Sequence, residues 1–126
     1  MKKIYLAGGF TNWQQRVIES FCGYNIKFYD PSATRFSSPV NYVPWDINAI
    51  EESDIIFTYL EESNPGGFAL ASEIGYAFAK GKTIIFVCET EELFMKKYWY
   101  FTYYLCGTNI FVGLETGIEQ LRSYVK

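Results

Sequence analysis

Residues 3–9 read Lys3-Ile4-Tyr5-Leu6-Ala7-Gly8-Gly9, a short apolar run that two glycines bring to a stop. Such a run predicts a buried strand. It is followed by a helical pattern through about residue 21, with Thr11 or Asn12 as its cap. The same unit returns along the chain. Residues 25–29 (NIKFY) alternate as a second strand, ended by Asp30-Pro31. Residues 54–59 (DIIFTY) and 83–88 (TIIFVC) are continuously apolar and predict a third and a fourth, and residues 109–112 a fifth. Helical patterns cover residues 67–80, 91–105 and 114–124. Pro44 suits the first position of one more helix, opening PWDINAIEES.

Strands and helices in this rhythm predict an α/β fold: a single domain over residues 1–126, with a five-stranded parallel sheet and helices on both faces. By analogy the sheet is flavodoxin- or Rossmann-like, in the order 2-1-3-4-5, and ligands are expected beyond the carboxyl ends of strands one and three.

Composition bounds what such a domain can do. With 126 residues, 49% of them hydrophobic, the chain can build one sizeable core and hardly two. A net charge of −3 and a pI near 5.0 supply no basic surface for a phosphodiester backbone, so the expected partner is a small molecule and not a nucleic-acid polymer. No run of eighteen apolar residues is present to span a membrane. The opening Met1-Lys2-Lys3, with its glycine-broken apolar run, does not make an export signal. Cys22, Cys88 and Cys106 lie within or beside apolar segments without metal-ligand spacing, and are expected as reduced thiols in or near the core of a cytoplasmic protein. The chain has no histidine, which removes Ser-His and Cys-His pairs and the common zinc sites. Catalysis is left to carboxylates, tyrosines or lysines, and no metal or cofactor is expected.

Three segments follow directly on strands and so surround one crevice: Gly8-Gly9-Phe10, the stretch from Asp30 with Trp45-Asp46 beyond it, and residues 64–73. The glycine pair is either a tight turn or a place where backbone approaches a ligand; it is not a dinucleotide fingerprint, and no Walker lysine follows it. Residues 31–43, rich in Ser, Pro and Asn, are long for a connection in a small domain. In the third segment Pro65-Gly66-Gly67 opens a helix on which Glu73 has Ala69, Leu70, Tyr76 and Ala77 three and four residues away. A carboxylate on such a surface is costly to bury unless something uses or pairs it, and the helix N-terminus favours its ionised form. The plain alternative is a solvated glutamate on the polar edge of an amphipathic helix.

Lys3 to Phe10 with Trp13-Gln14 resembles the opening of the nucleoside 2-deoxyribosyltransferase-like family. Asp30-Pro31 and Trp45-Asp46 resemble its middle. Ser53-Asp54-Ile55-Ile56, then Gly67 and Glu73-Ile74-Gly75-Tyr76-Ala77, resemble its core motif. The resemblance spans roughly residues 3–112. It implies cleavage of the N-glycosidic bond of a nucleoside or nucleoside monophosphate, in which Glu73 attacks C1′ and forms a glycosyl ester that a free nucleobase or water resolves. It implies further that Asp46 manages the proton of the base and that Tyr5 holds the glutamate. Asn109 is expected to reach a neighbouring subunit's site, so that a homo-oligomer forms, with the aromatic stretch at residues 94–104 at a subunit contact. Gly8, Gly9, Phe10, Trp45 and Gly67 are expected around the substrate, and Arg35 with Ser37 and Ser38 toward an anionic 5′ end. Two other readings stay open on the sequence. Pro65-Gly66-Gly67 with Glu73 also has the spacing of the P-G-G-x-G-T-x-x-E motif of phosphoribohydrolases, with Ala69-Leu70 in place of Gly-Thr. The aromatic content, 20% of the chain, would suit a non-catalytic nucleotide-sensing module.

Overall fold

Alternation along the first strand sets the layering of the molecule. In β1 (Lys2–Gly8), Ile4 and Leu6 turn to one face of the sheet and Tyr5 and Ala7 to the other, and all four are fully buried. A strand that is apolar on both faces has to be covered twice. The structure, a computed structural model, describes residues 1–61, 68–89, 100–110 and 113–125. Its elements follow in the order β1, α1 (Trp13–Ser20), β2 (Ile26–Tyr29), a 3-10 turn (Pro31–Ala33), α2 (Pro39–Glu52), β3 (Ile55–Leu60), α3 (Phe68–Ala79), β4 (Thr83–Cys88), α4 (Tyr100–Leu105), β5 (Thr108–Ile110) and α5 (Leu114–Tyr124).

The sheet is parallel, in the order β2-β1-β3-β4-β5. Its body is the first four of these, while β5 is a three-residue edge paired to Ile85, Phe86 and Val87 of β4. Residues 111–112, which end the strand expected from the sequence, lie outside the described residues. One face carries Tyr5, Ala7, Ile56, Leu60, Ile84 and Phe86 under α2, α3 and the end of α4. The other carries Ile4, Leu6, Phe57, Tyr59, Ile85 and Val87 under α1 and α5.

The sequence reading needs correction in two places. Pro44 does not open its helix; it lies inside α2, whose Pro-at-N1 signal is the pair Ser38-Pro39 five residues earlier. The Ser38 carbonyl accepts from the backbone N–H groups of Asn41 and Tyr42 at 2.9 and 3.0 Å, so the first turn is already closed before Pro44. The long connection expected over residues 31–43 is thus split into a 3-10 turn, a short link and a helical turn. Cys22 is exposed on the turn after α1, while Cys88 and Cys106 are buried as expected. Among the described residues no helix is long and apolar enough to cross a membrane. Of the aromatic stretch at 94–104, residues 94–99 lie outside the described residues; within α4, Phe101 and Tyr104 are exposed and Thr102 is buried.

Gly8 ends β1 with φ +152, and a Cβ built there would come within 2.5 Å of the Tyr59 carbonyl and 3.0 Å of the Trp13 ring. Neither backbone nor a buried indole can yield cheaply. Gly8→Ala should therefore cost about 2–4 kcal/mol, read as a lowered midpoint in urea unfolding with an unchanged slope.

Candidate active site

The pleat of β1 places Tyr5 on the face covered by α2 and α3, and each of these helices turns a carboxylate toward its hydroxyl. Asp46 lies in the second half of α2 and Glu73 is the sixth residue of α3. The Tyr5 hydroxyl donates a hydrogen bond to Glu73 Oε2. Glu73 is half-buried, with Leu70, Ile74 and Ala77 beside it in the core. The solvated-edge alternative therefore does not describe it.

Electrostatics follow from this packing. Burial pushes the Glu73 carboxyl up to about 7; the Tyr5 hydrogen bond opposes the rise and the Asp46 charge adds to it. Loss of water around the carboxylate thus works against the ionised form that the helix N-terminus was expected to favour. Asp46 is also raised, by burial, with the Tyr5 hydroxyl pulling the other way. Its Oδ1 is buried and has no hydrogen-bond partner among the described residues. Tyr5 itself is pushed well above the usual phenol range by burial and by the two carboxylates, so it remains a donor.

These three side chains line a cavity of about 360 Å³ with Gly8, Phe10 and Ala69, toward the small end of the roughly 300–1,000 Å³ typical of small-molecule sites. Pro31, Thr34, Phe36 and Tyr42 complete the wall. A smaller space of about 170 Å³ continues past Gly8 and Gly9 to Tyr59 and Leu60, at the carboxyl ends of β1 and β3.

Of the residues singled out from the sequence, the structure brings Tyr5, Gly8, Phe10, Asp46 and Glu73 to one cavity and Gly9 to its extension. It does not bring Trp45 there. Successive helical residues diverge by about 100°, so Trp45 and Asp46 cannot share a face; Trp45 packs on Tyr29, ring centroids 6.3 Å apart, and lines a different groove. Arg35 is exposed, with φ +63, and is not among the lining residues. Gly67 and the side chain of Asn109 lie outside the described residues. Sequence reasoning missed Thr34, Phe36 and Tyr42. A signal for Tyr42 existed, since it stands four residues before Asp46 and so shares its helical face; for Phe36 and Thr34, in an irregular link, no periodicity could have served.

Residues 1–91 match the model of a family described as nucleoside 2-deoxyribosyltransferase like. No curated protein matches the chain. Solved structures do: a 2-desoxiribosyltransferase from Leishmania mexicana superposes with a TM-score of 0.76 at 18% identity, covering 98% of this chain and 99% of that one. A CMP N-glycosidase from Clostridium botulinum gives 0.66 at 22% identity, covering 98% and 100%. A 2-deoxyribosyltransferase from Bacillus psychrosaccharolyticus gives 0.60 at 21%, covering 79% and 81%. At these identities the structural likeness speaks for the fold.

Because Glu73 is held above the ordinary value near 4.5, the folded state keeps a proton that the unfolded chain releases between pH of about 4.5 and 7. Stability contributed by this group is full at low pH and is lost as pH rises through that window. Glu73→Gln, which keeps the acceptor for Tyr5 and carries no charge, should accordingly gain on the wild type in melting temperature between pH 5 and pH 8. Thermal melts across that range check the sign.

Proposed function

Since this chain belongs to the nucleoside 2-deoxyribosyltransferase-like family, matched over residues 1–91, we propose that it cleaves the N-glycosidic bond of a nucleoside or nucleotide with Glu73 as the nucleophile. The observation that carries the proposal is the convergence of Glu73, Asp46 and the Tyr5 hydroxyl in one small cavity beside the carboxyl ends of β1 and β3.

The chemistry needs a carboxylate at C1′, a group that handles the proton on the leaving base, and a donor that fixes the nucleophile. Glu73 attacks in its ionised form and forms a glycosyl ester as the base departs. Asp46, with a buried oxygen that has no protein partner among the described residues, is suited to exchange a hydrogen bond or proton with the base. The Tyr5 hydroxyl orients the Glu73 carboxylate and opposes its protonation. A second base or water then resolves the ester. That the structurally similar chains include both a deoxyribosyltransferase and an N-glycosidase supports the bond broken more than the choice of acceptor. The protein is further proposed to act as a homo-oligomer, since Phe78, Phe101 and Tyr104 are exposed aromatics on α3 and α4.

Glu73→Gln should fold and lose about a thousandfold or more in kcat/KM. A 2-fluoro-2-deoxynucleoside should leave a stable ester on Glu73, read by peptide mass spectrometry. Near-normal turnover by the glutamine enzyme would remove both the nucleophile assignment and the proposed activity. A panel of nucleosides and monophosphates, with and without a free base, distinguishes transfer from hydrolysis.

The pH profile carries a separate test. As Glu73 must lose its proton to attack, kcat/KM should fall on the acid side of about pH 7. Asp46→Asn removes the neighbouring negative charge and should move that limb to lower pH; Tyr5→Phe removes the opposing hydrogen bond and should move it higher. Shifts in the same direction for both variants would contradict the arrangement.

A further inference from the structure

Two side chains at the start of α1 converge on one carbonyl. Trp13 Nε1 donates to the Gly9 oxygen at 2.7 Å and Gln14 Nε2 donates to the same oxygen at 3.0 Å. We propose that Trp13 and Gln14 are positioning residues that act through this carbonyl to aim the backbone N–H of Phe10 at the bound substrate.

The argument starts from the peptide unit. The Gly9 carbonyl and the Phe10 N–H belong to one trans, planar peptide and point in opposite directions. Gln14 is fully buried and Trp13 nearly so, so the carbonyl is directed into the protein. The N–H is then directed outward, where Phe10 and Gly8 line the cavity of Glu73 and Asp46. Among the described residues it has no backbone acceptor. Both sides of the turn are pinned: the indole packs edge-on against Tyr59 with centroids 5.3 Å apart, and it lies 3.0 Å from where a Gly8 Cβ would stand.

Gln14 supplies the second observation. Its Oε1 is buried and without a partner among the described residues. Reversing the amide would set that oxygen against the Gly9 oxygen, so the orientation is fixed by the contact. A buried amide with half its capacity unmet destabilises the fold, where an apolar side chain of similar shape would not. A glutamine here is accounted for by what its N–H group holds. The inference rests on the reading of this cavity as the substrate site.

The test uses Gln14→Met, which removes donor and orphaned acceptor together, and Trp13→Phe, which keeps an aromatic ring on the side of Tyr59 but removes the indole donor together with part of the ring packed on Gly8. The probe is whichever of 2′-deoxyadenosine, 2′-deoxycytidine or their monophosphates the wild type cleaves best, or, where none is cleaved, binds best. Gln14→Met should keep its melting temperature within about 2 °C or raise it, while KM rises about three- to tenfold and kcat stays within about twofold. Trp13→Phe should show the same KM-against-kcat split, here with a lower melting temperature from the lost ring packing. Each single variant leaves the carbonyl one donor, so the double variant should exceed the product of the two effects. Unchanged KM in both single variants overturns the proposal. So does activity that falls only in step with melting temperature, which is the mark of a purely structural contact. The Phe10 amide resonance separates this from the proposed reaction: it should shift when the probe is added to wild type and not to the double variant, even if no base is released. A wild-type amide that does not respond to a probe that binds rules the positioning role out, while response without cleavage counts only against the activity.

Discussion

A carboxylate taken out of water must find a donor or keep its proton, and Glu73 does some of each. Everything around the cavity is arranged by that constraint. The donor is a phenol on the central strand, where strand alternation fixes its direction and full burial fixes its position. The helix that carries Glu73 is anchored by Leu70, Ile74 and Ala77, so the carboxylate cannot swing to solvent without leaving the core packing that holds α3 on the sheet. Asp46 approaches from α2, and its charge then presses further against ionisation of its neighbour. Two acids and one phenolic proton form a single titrating unit, in which a change at any member is felt by the other two.

Such a unit is poised near neutrality because burial outweighs an opposing hydrogen bond without removing its effect. Burial raises the Glu73 carboxyl and the Tyr5 hydrogen bond lowers it. A fully solvated glutamate would be ionised but poorly placed, and a fully buried one without Tyr5 would stay protonated. The value of about 7 lies between these limits, where modest changes in the surroundings alter the ionised fraction most.

How much of this was legible in the sequence depends on what set each feature. The strands were legible, because continuous apolar runs bounded by glycine, proline or charge have few other uses; the strand at residues 83–88 has the boundaries read from it, as does the amphipathic helix at residues 114–124. The meeting of Tyr5, Asp46 and Glu73 was legible through the family resemblance and the parallel-sheet geometry together. Rotation about a helix axis was harder to place: Trp45 and Asp46 are adjacent in sequence, but one faces Tyr29 and the other the cavity. The raised Glu73 carboxyl was not legible, since the local helix was visible in the sequence and the degree of burial was not. The direction of Arg35, which is not among the cavity's lining residues, was not legible because an irregular link has no period from which direction can be inferred.

Pro44 bears on motion. It sits in α2 between Tyr42 and Asp46, and lacking an N–H it leaves the Val40 carbonyl without the helical bond it would otherwise receive. Val40 is 81% exposed, so water can take that place. The first turn of α2, with Tyr42 at the cavity wall, is tied to the body of its helix by one backbone bond fewer than the turn that carries Asp46. Local opening at the rim thus costs less than disturbance of the Asp46 and Glu73 carboxylates, and amide exchange at residues 41–43 is expected to outpace that at residues 46–50.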